Sequence, residues 1–482
     1  MKNQKIGIVA AGAYLPRYRL KREVIAAAWG NAGARGEKAL ANYDEDSVTL
    51  AIEAAFNCLD GIDLSVVDGV FFASASGPYA EKEHANLMRA VIDIKETSIT
   101  ADFAHSLRSG TQALRAALDA VGNGTAQNVL VTAAEQRACE PGSEPEMDFG
   151  DGAAALLVGS ADLLAELEGT HSISYEFTDY RRRDRDLYVR WGDRSFTITH
   201  GYRNSMRDCI SGFMEKQGLG TKDIQKLAIY TPDSRAYRQV ARDLGFNLEK
   251  QVLNPLYDQT GIIGSAHPLL LLVLALEEAH PGDRILVASY GSGGSDAFLF
   301  RATERISEWK SKKPLRSFLE NKREFLNYNQ YLRFRDYLKL EVSIPFTKST
   351  EPFSTLAFVW KESKQDMGFY GSRCLQCGYV QFPMRRVCLN CHAKDKMEDY
   401  KLVKKGIVYT FTKDYVFVVP DPPGIMVAVD LEEGGRFFGQ MTECREDEIA
   451  IGLPVELTYR KWHEALGNYH YFWKCRLIEG ER

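Results

Sequence analysis

The chain has 482 residues, 45% of them hydrophobic, and a formal net charge of -5. That is enough apolar material for two or three packed domains. The weak acidity, with no basic run longer than the triplet at 181–183, argues against a nucleic-acid binder, and no segment approaches the roughly 20 apolar residues of a membrane span.

In chain order, the N-terminal "IGIVAAGAYLP" at 6–16 predicts a buried strand and turn rather than a signal peptide, because Gly7, Gly12 and Pro16 interrupt the apolar run. With no leader, a cytoplasmic location is expected. Apolar runs at 66–76, 128–135 and 153–159 read as buried strands, and "DSVTLAIEAAFNCL" and "SGTQALRAALDAVGNG" as helices. This alternation predicts an α/β domain with helices covering a sheet. A second round of strands and helices follows between 171 and 302, where "LLLLVLAL" at 269–276 reads as a buried helix. The two rounds predict a structural duplication, with halves at 1–165 and 166–304.

From 305 to 345 the chain turns charged and aromatic, which suits an exposed helical connector. Residues 346–400 are expected to hold a helix and a metal ribbon. In "CLQCGYVQFPMRRVCLNC", two C-x-x-C knuckles pair Cys374 and Cys377 with Cys388 and Cys391 across a hairpin-length insert. Four thiolates at this spacing suit a tetrahedral, closed, structural zinc site. The other five cysteines show no pairing by spacing and read as small buried hydrophobes. Residues 401–482 carry short strands at regular spacing with glycine turns, the pattern of a small β-barrel of the OB type.

The order of several phrases carries more. "GIVAAGAYLPRYRL", "SASGPYAEK", "SGTQAL", "GDGAAALLVG", "YTPDSR" and "PGDRILVASYGSGGSDAF" resemble the thiolase superfamily, most closely its archaeal-type hydroxymethylglutaryl-CoA synthase branch, over about the first 345 residues. Residues 346–482 resemble the zinc-ribbon and OB-fold proteins that accompany thiolase-like enzymes in acyl-CoA metabolism. The resemblance implies a duplicated αβαβα core, coenzyme A as part of the substrate, and a homodimer without nucleic-acid or membrane partners.

It also places Ala75 where the synthases carry their acidic glutamate, Leu107 where they carry the acyl-accepting cysteine, and Tyr230 where they carry a histidine. Ser106 takes the cysteine's place if the register shifts by one. Without a thiolate the chain cannot hold an acyl group covalently, which disfavours ping-pong chemistry. Aldol chemistry on a thioester needs only enolate stabilisation and an acid or base, and Tyr230 is the candidate proton carrier. His267, in "GIIGSAHP", resembles the loop histidine of degradative thiolases and is expected to polarise the thioester oxygen, the alternative being a structural imidazole. Tyr290, in "SYGSGG", stands where thiolases place a second cysteine, as a catalytic group or a shaper of the pocket. Arg235 is expected on a CoA phosphate. Gly291, Gly293 and Gly294 are expected to admit the pantetheine closely or to serve a strand turn, while His105 and Ser76 supply pocket polarity.

The tyrosines resemble thiolase-like aldolases, so the leading expectation is a carbon-carbon lyase cleaving a 3-hydroxyacyl-CoA to acetyl- or propionyl-CoA and a carbonyl compound. The alternatives are a non-covalent synthase-like condensing enzyme or acyltransferase, and a non-catalytic acyl-CoA-binding scaffold for a thiolase.

Overall fold

The structure, a computed structural model, describes residues 4–325, 327–338, 355–416, 419–465 and 467–478. Residue contacts divide it into two units. One runs to Tyr328 without Asn42–Glu45 and Ala90–Asp93; the other takes those two short segments and the chain from Asn329.

The first unit is built on nine strands: β1 (Gly7–Tyr14), β4 (Gly69–Ala73), β5 (Ile99–Phe103), β6 (Val129–Glu135), β7 (Gly152–Gly159), β8 (Ala165–Ser174), β9 (Lys226–Ile229), β10 (Arg284–Gly291) and β11 (Gly294–Ala302), with β2 (Tyr18–Lys21) and β3 (Glu37–Leu40) in a small separate sheet. Their spatial order is β5-β4-β6-β7-β1-β8-β11-β10-β9. Read outward from the β1/β8 junction, the halves repeat each other. An antiparallel neighbour comes first on each side, β7 or β11, and then a run whose strands are parallel, β6-β4-β5 or β10-β9. The expected duplication is therefore visible in strand order.

Alternation along β7 sends Ala154, Leu156 and Val158 into one layer with the helices Ser109–Gly122 and His267–Glu277. The second of these helices is apolar on all sides and buried throughout, as such a sequence requires. The helix Ser47–Cys58 covers the other face, where Gly12 makes room for its last turn. Its start is fixed by Asp46, whose carboxylate accepts from the amides of Val48 and Thr49 while the Thr49 hydroxyl accepts from the Asp46 amide.

The stretch expected as an exposed connector is partly core. Leu315, Phe325, Tyr331 and Phe334 are buried, and β12 (Arg323–Glu324) pairs with β2. Its aromatic residues are what the charge pattern concealed: they point inward while the charges between them stay solvated. Residues 339–345 of that stretch and 346–354 of the next lie outside the described residues.

In the second unit, β13 (Tyr370–Cys374) sits between β14 (Val380–Gln381) and β15 (Met397–Lys401). A five-stranded sheet follows, in the order β18-β17-β16-β19-β20, from β16 (Lys405–Asp414), β17 (Gly424–Leu431), β18 (Arg436–Gln440), β19 (Pro454–Ala465) and β20 (Asn468–Leu477). Phe369, Phe437 and Trp473 pack together at its core. Two buried cations are neutralised inside this unit, Lys474 by Asp44 and Arg460 by Glu443. No helix of the described residues is long and apolar enough to cross a membrane.

Candidate functional site

In open α/β sheets, reactive groups collect where parallel strands end and loops diverge. Here Ala75 follows β4, His105 to Arg108 follow β5, Glu135 ends β6, Tyr230 follows β9 and Tyr290 lies near the end of β10. Leu107, Tyr230 and Tyr290 belong to one buried cluster, against which Ala75 packs. The residues assigned to the three synthase positions thus share one neighbourhood.

The turn after β5 is an elbow that leads from the strand into a helix. His105 is left-handed at φ 70°, and the helix begins at Ser109. Arg108 locks the turn with a bidentate pair to Asp296, at 3.0 Å from Nε and 2.7 Å from Nη2. Asp296 also accepts from Thr111 and Ser172 hydroxyls. A Cβ on Gly291 would lie 3.0 Å from the Leu107 Cβ and 3.1 Å from its amide nitrogen. A Cβ on Gly293 would strike the Tyr175 carbonyl. These glycines, expected to admit a pantetheine, are thus filled by the protein's own backbone; with Ser292 at φ 50° and Gly293 at φ 77° they form the β10-β11 hairpin turn.

Tyr230 is 1% exposed and its hydroxyl has no hydrogen-bond partner among the described residues. Burial raises its phenol well above the ordinary value, so the group stays protonated. Tyr202, carried on the wide i→i+5 turn Thr197–Arg203, donates to the Tyr230 carbonyl at 2.6 Å and fixes the backbone there. The Tyr290 hydroxyl is buried beside the Asp179 carboxyl without a well-formed hydrogen bond. Burial and that carboxyl both raise the phenol. Desolvation likewise raises Asp179, although the amides of Tyr180 and Ser292 donate to it.

His267 sits close by, its ring 5.9 Å from that of Tyr230. Both its nitrogens are committed: Nδ1 accepts from the Ile263 amide at 3.2 Å and Nε2 donates to the Pro255 carbonyl at 2.9 Å. The expected thioester contact therefore has no free nitrogen to make it, and complete burial lowers the imidazole to about 4, keeping it neutral. His267 is a loop-shaping residue. Arg235 is exposed at the start of the helix Ala236–Asp243. His105 is also exposed.

Sequence reasoning missed Glu135, Arg137, Asp179 and Tyr180. Glu135 accepts from the Ala75 and Ser265 amides and from the Ser76 and Ser265 hydroxyls, joining the loop after β4 to the loop before the helix His267–Glu277. Ser76 is consumed in that link rather than free for a ligand. The available signal was an acid closing an apolar strand in "NVLVTAAE".

In the other unit, Cys374, Cys377, Cys388 and Cys391 present sulfurs that all lie within 4.8 Å of one another. Two of the edges are 3.6 Å, close to the ~3.8 Å spacing of thiolates around zinc at ~2.3 Å. Amides of Gln376, Asn390 and Cys391 point at the sulfurs, as thiolate ligands require. The donor set fits a closed structural zinc site. Cys58, Cys139, Cys209 and Cys475 are buried, as expected of small hydrophobes, whereas Cys444 is only partly buried.

Against this geometry the comparisons decide the family. A curated hydroxymethylglutaryl-CoA synthase of Methanopyrus kandleri is 37% identical over 348 residues, covering 70% of this chain and 99% of that protein. The chain belongs to the hydroxymethylglutaryl-CoA synthase family. The enzyme of the same name from Methanocaldococcus jannaschii is 34% identical over 344 residues. The family fold is seen in a solved structure of MvaS in complex with 3-hydroxy-3-methylglutaryl coenzyme A, with a TM-score of 0.62 at 21% identity, covering 70% of this chain and 92% of that one. PksG, a synthase from Bacillus subtilis, aligns with a TM-score of 0.61 at 20% identity, covering 72% and 95%. Residues 214–301 match the C-terminal model of 3-oxoacyl-[acyl-carrier-protein] synthase III. Beyond the family's core, residues 365–398 match the rubredoxin-like zinc ribbon of ChsH2 and residues 400–460 its C-terminal OB-fold domain.

Proposed function

We propose that the chain performs carbon-carbon bond chemistry on CoA thioesters, as a synthase-like condensing enzyme that works without a covalent acyl-enzyme. The observation that carries this reading is Tyr230, a buried phenol without a partner among the described residues, at the position assigned to the synthase histidine. A buried hydroxyl without a protein partner is able to donate to a substrate oxygen. Leu107 at the nucleophile position removes the acyl-transfer half of synthase chemistry and leaves the aldol half.

In that step a base removes the α-proton of a thioester, and the resulting enolate carbon bonds to a carbonyl carbon. The carbonyl electron pair moves to oxygen, which takes a proton. Tyr230, held neutral by burial, starts the condensing direction in the correct state, as a donor to the developing alkoxide. Asp179, raised by desolvation and in electrostatic reach of Tyr230 and Tyr290, is the proton acceptor we assign. Arg235 is assigned to a phosphate of CoA.

The aldolase reading uses the same groups in reverse and is favoured by Leu107, since simple aldol cleavage has no step for a thiolate. Product analysis separates the two. The purified chain is incubated with paired acyl-CoA thioesters and, separately, with 3-hydroxyacyl-CoA thioesters, and products are followed by mass spectrometry. A longer 3-hydroxy product that still carries both CoA thioesters supports condensation, since aldol addition breaks no thioester and free CoA appears only if water then hydrolyses one of them. A shorter CoA thioester plus an aldehyde or ketone, with no free thiol, establishes cleavage. Silence in both arms sinks catalysis and leaves the scaffold role.

A further inference from the structure

Arg137, two residues beyond β6, has no counterpart in the chemistry above. It is 3% exposed, its guanidinium lies 3.8 Å from the ring centre of Phe149 and 4.7 Å from that of Tyr180, and Nη1 is buried with no hydrogen-bond partner among the described residues. Among the described residues it makes no ion pair. The acids around Tyr180 are engaged elsewhere: Asp148 takes Arg194 and the Tyr257 hydroxyl, and Asp179 takes the Tyr180 and Ser292 amides. Glu135 is filled by four donors.

Aromatic faces offset part of the desolvation of a buried guanidinium, but they leave the in-plane N–H groups of Nη1 unsatisfied. Such groups pair with a carboxylate or a phosphate. Arg137 is also in electrostatic reach of Tyr230. The geometry points to Arg137 as a binding residue for a carboxylate carried by the acyl group of the substrate, which makes the substrate class acyl-CoA thioesters ending in a free acid. The phosphates of CoA are the other anions at hand, but a pantetheine arm separates them from the thioester, whereas Arg137 lies with the reactive phenols. The inference rests on the reading of this site as a thioester site.

Isothermal titration of the full chain with glutaryl-CoA, pentanoyl-CoA and free CoA tests it, using wild type, Arg137→Gln and Arg137→Lys. Wild type is expected to bind glutaryl-CoA at least tenfold more tightly than pentanoyl-CoA. Arg137→Gln should remove that preference while leaving free CoA unchanged, and Arg137→Lys should keep part of it. Equal wild-type affinities, or a preference that survives in Arg137→Gln, would overturn the assignment. So would an equal loss for all three ligands, which would place Arg137 on the CoA portion or in the fold alone. If Arg137→Gln does not fold, wild-type titration with the monoamide of glutaryl-CoA decides: binding as tight as the acid overturns the proposal. Discrimination without any carbon-carbon product would leave the anion site standing and remove the reaction; no binding of any thioester removes both.

Discussion

The cysteine cluster and the strand-end site solve the same assembly problem in opposite ways. Each gathers groups from loops that leave separate strands. In the cluster the side chains themselves are indispensable, because only thiolates at a fixed spacing make the tetrahedron. At the strand ends the backbone is what persists: the left-handed His105, the Arg108–Asp296 lock and the close approach of Gly291 hold an elbow whose nucleophile position is leucine. A site defined by ligands loses its purpose when one residue changes, while a site defined by backbone can change residues and be given new chemistry.

The sharpest way to break this comparison is to empty the cluster. Structural zinc contributes on the order of 10 kcal/mol in small zinc domains. Cys388→Ala is therefore expected to lose bound zinc by elemental analysis and to remove the C-terminal part of the thermal unfolding curve. A curve unaltered by the substitution would mean that the ribbon is held by its hydrophobic contacts.

Tyr230→Phe probes the other side. If the phenol donates to an oxyanion, its loss should lower kcat by about 100- to 1000-fold. Stability should hold or rise by about 1 kcal/mol, because an unpaired buried hydroxyl disappears. A drop in stability with unchanged kcat would show a packing residue.

The two regions also differ in how far the sequence exposed them. Cysteine spacing pointed to the metal site directly, and strand alternation with all-apolar helices pointed to the α/β layers, because burial and ligation leave local marks. The convergence of Leu107, Tyr230 and Tyr290 was legible only through family resemblance, since they come from the ends of three different strands. His267 was misjudged because sequence shows an imidazole but not the Ile263 amide and Pro255 carbonyl that occupy it. Arg137 and Asp179 were invisible for the converse reason. Charged residues in polar stretches read as solvated, and only packing reveals their burial.

The His267 assignment has its own test in acid. Its folded value of about 4 lies below the ordinary 6.5, so the unfolded chain binds a proton that the folded chain refuses. Stability from this group is complete above pH 6.5, falls as pH drops toward 4, and is level below that. The full loss is about 3 kcal/mol at ~1.4 kcal/mol per unit. Urea titrations at pH 7 and 4.5 should show most of this loss in wild type and much less in His267→Asn. An equal loss in both would assign the acid sensitivity to other groups.

The smallest expected effect is Leu107→Cys, and it bears most directly on the comparison. The position is buried among Tyr230 and Tyr290, so replacing leucine by the smaller cysteine should cost about 1–2 kcal/mol through lost packing. Among these apolar and aromatic neighbours the new thiol is desolvated, which disfavours the thiolate, and neither Ala75 nor the protonated Tyr230 supplies a base. The variant is therefore expected to show no acetyl adduct by intact-mass spectrometry after exposure to acetyl-CoA. An adduct would mean that the elbow alone activates a thiol, and that the difference between this site and a ping-pong synthase lies in one side chain. Its absence would show that preserved backbone is necessary for the chemistry but that the nucleophile also needs partners this chain does not provide.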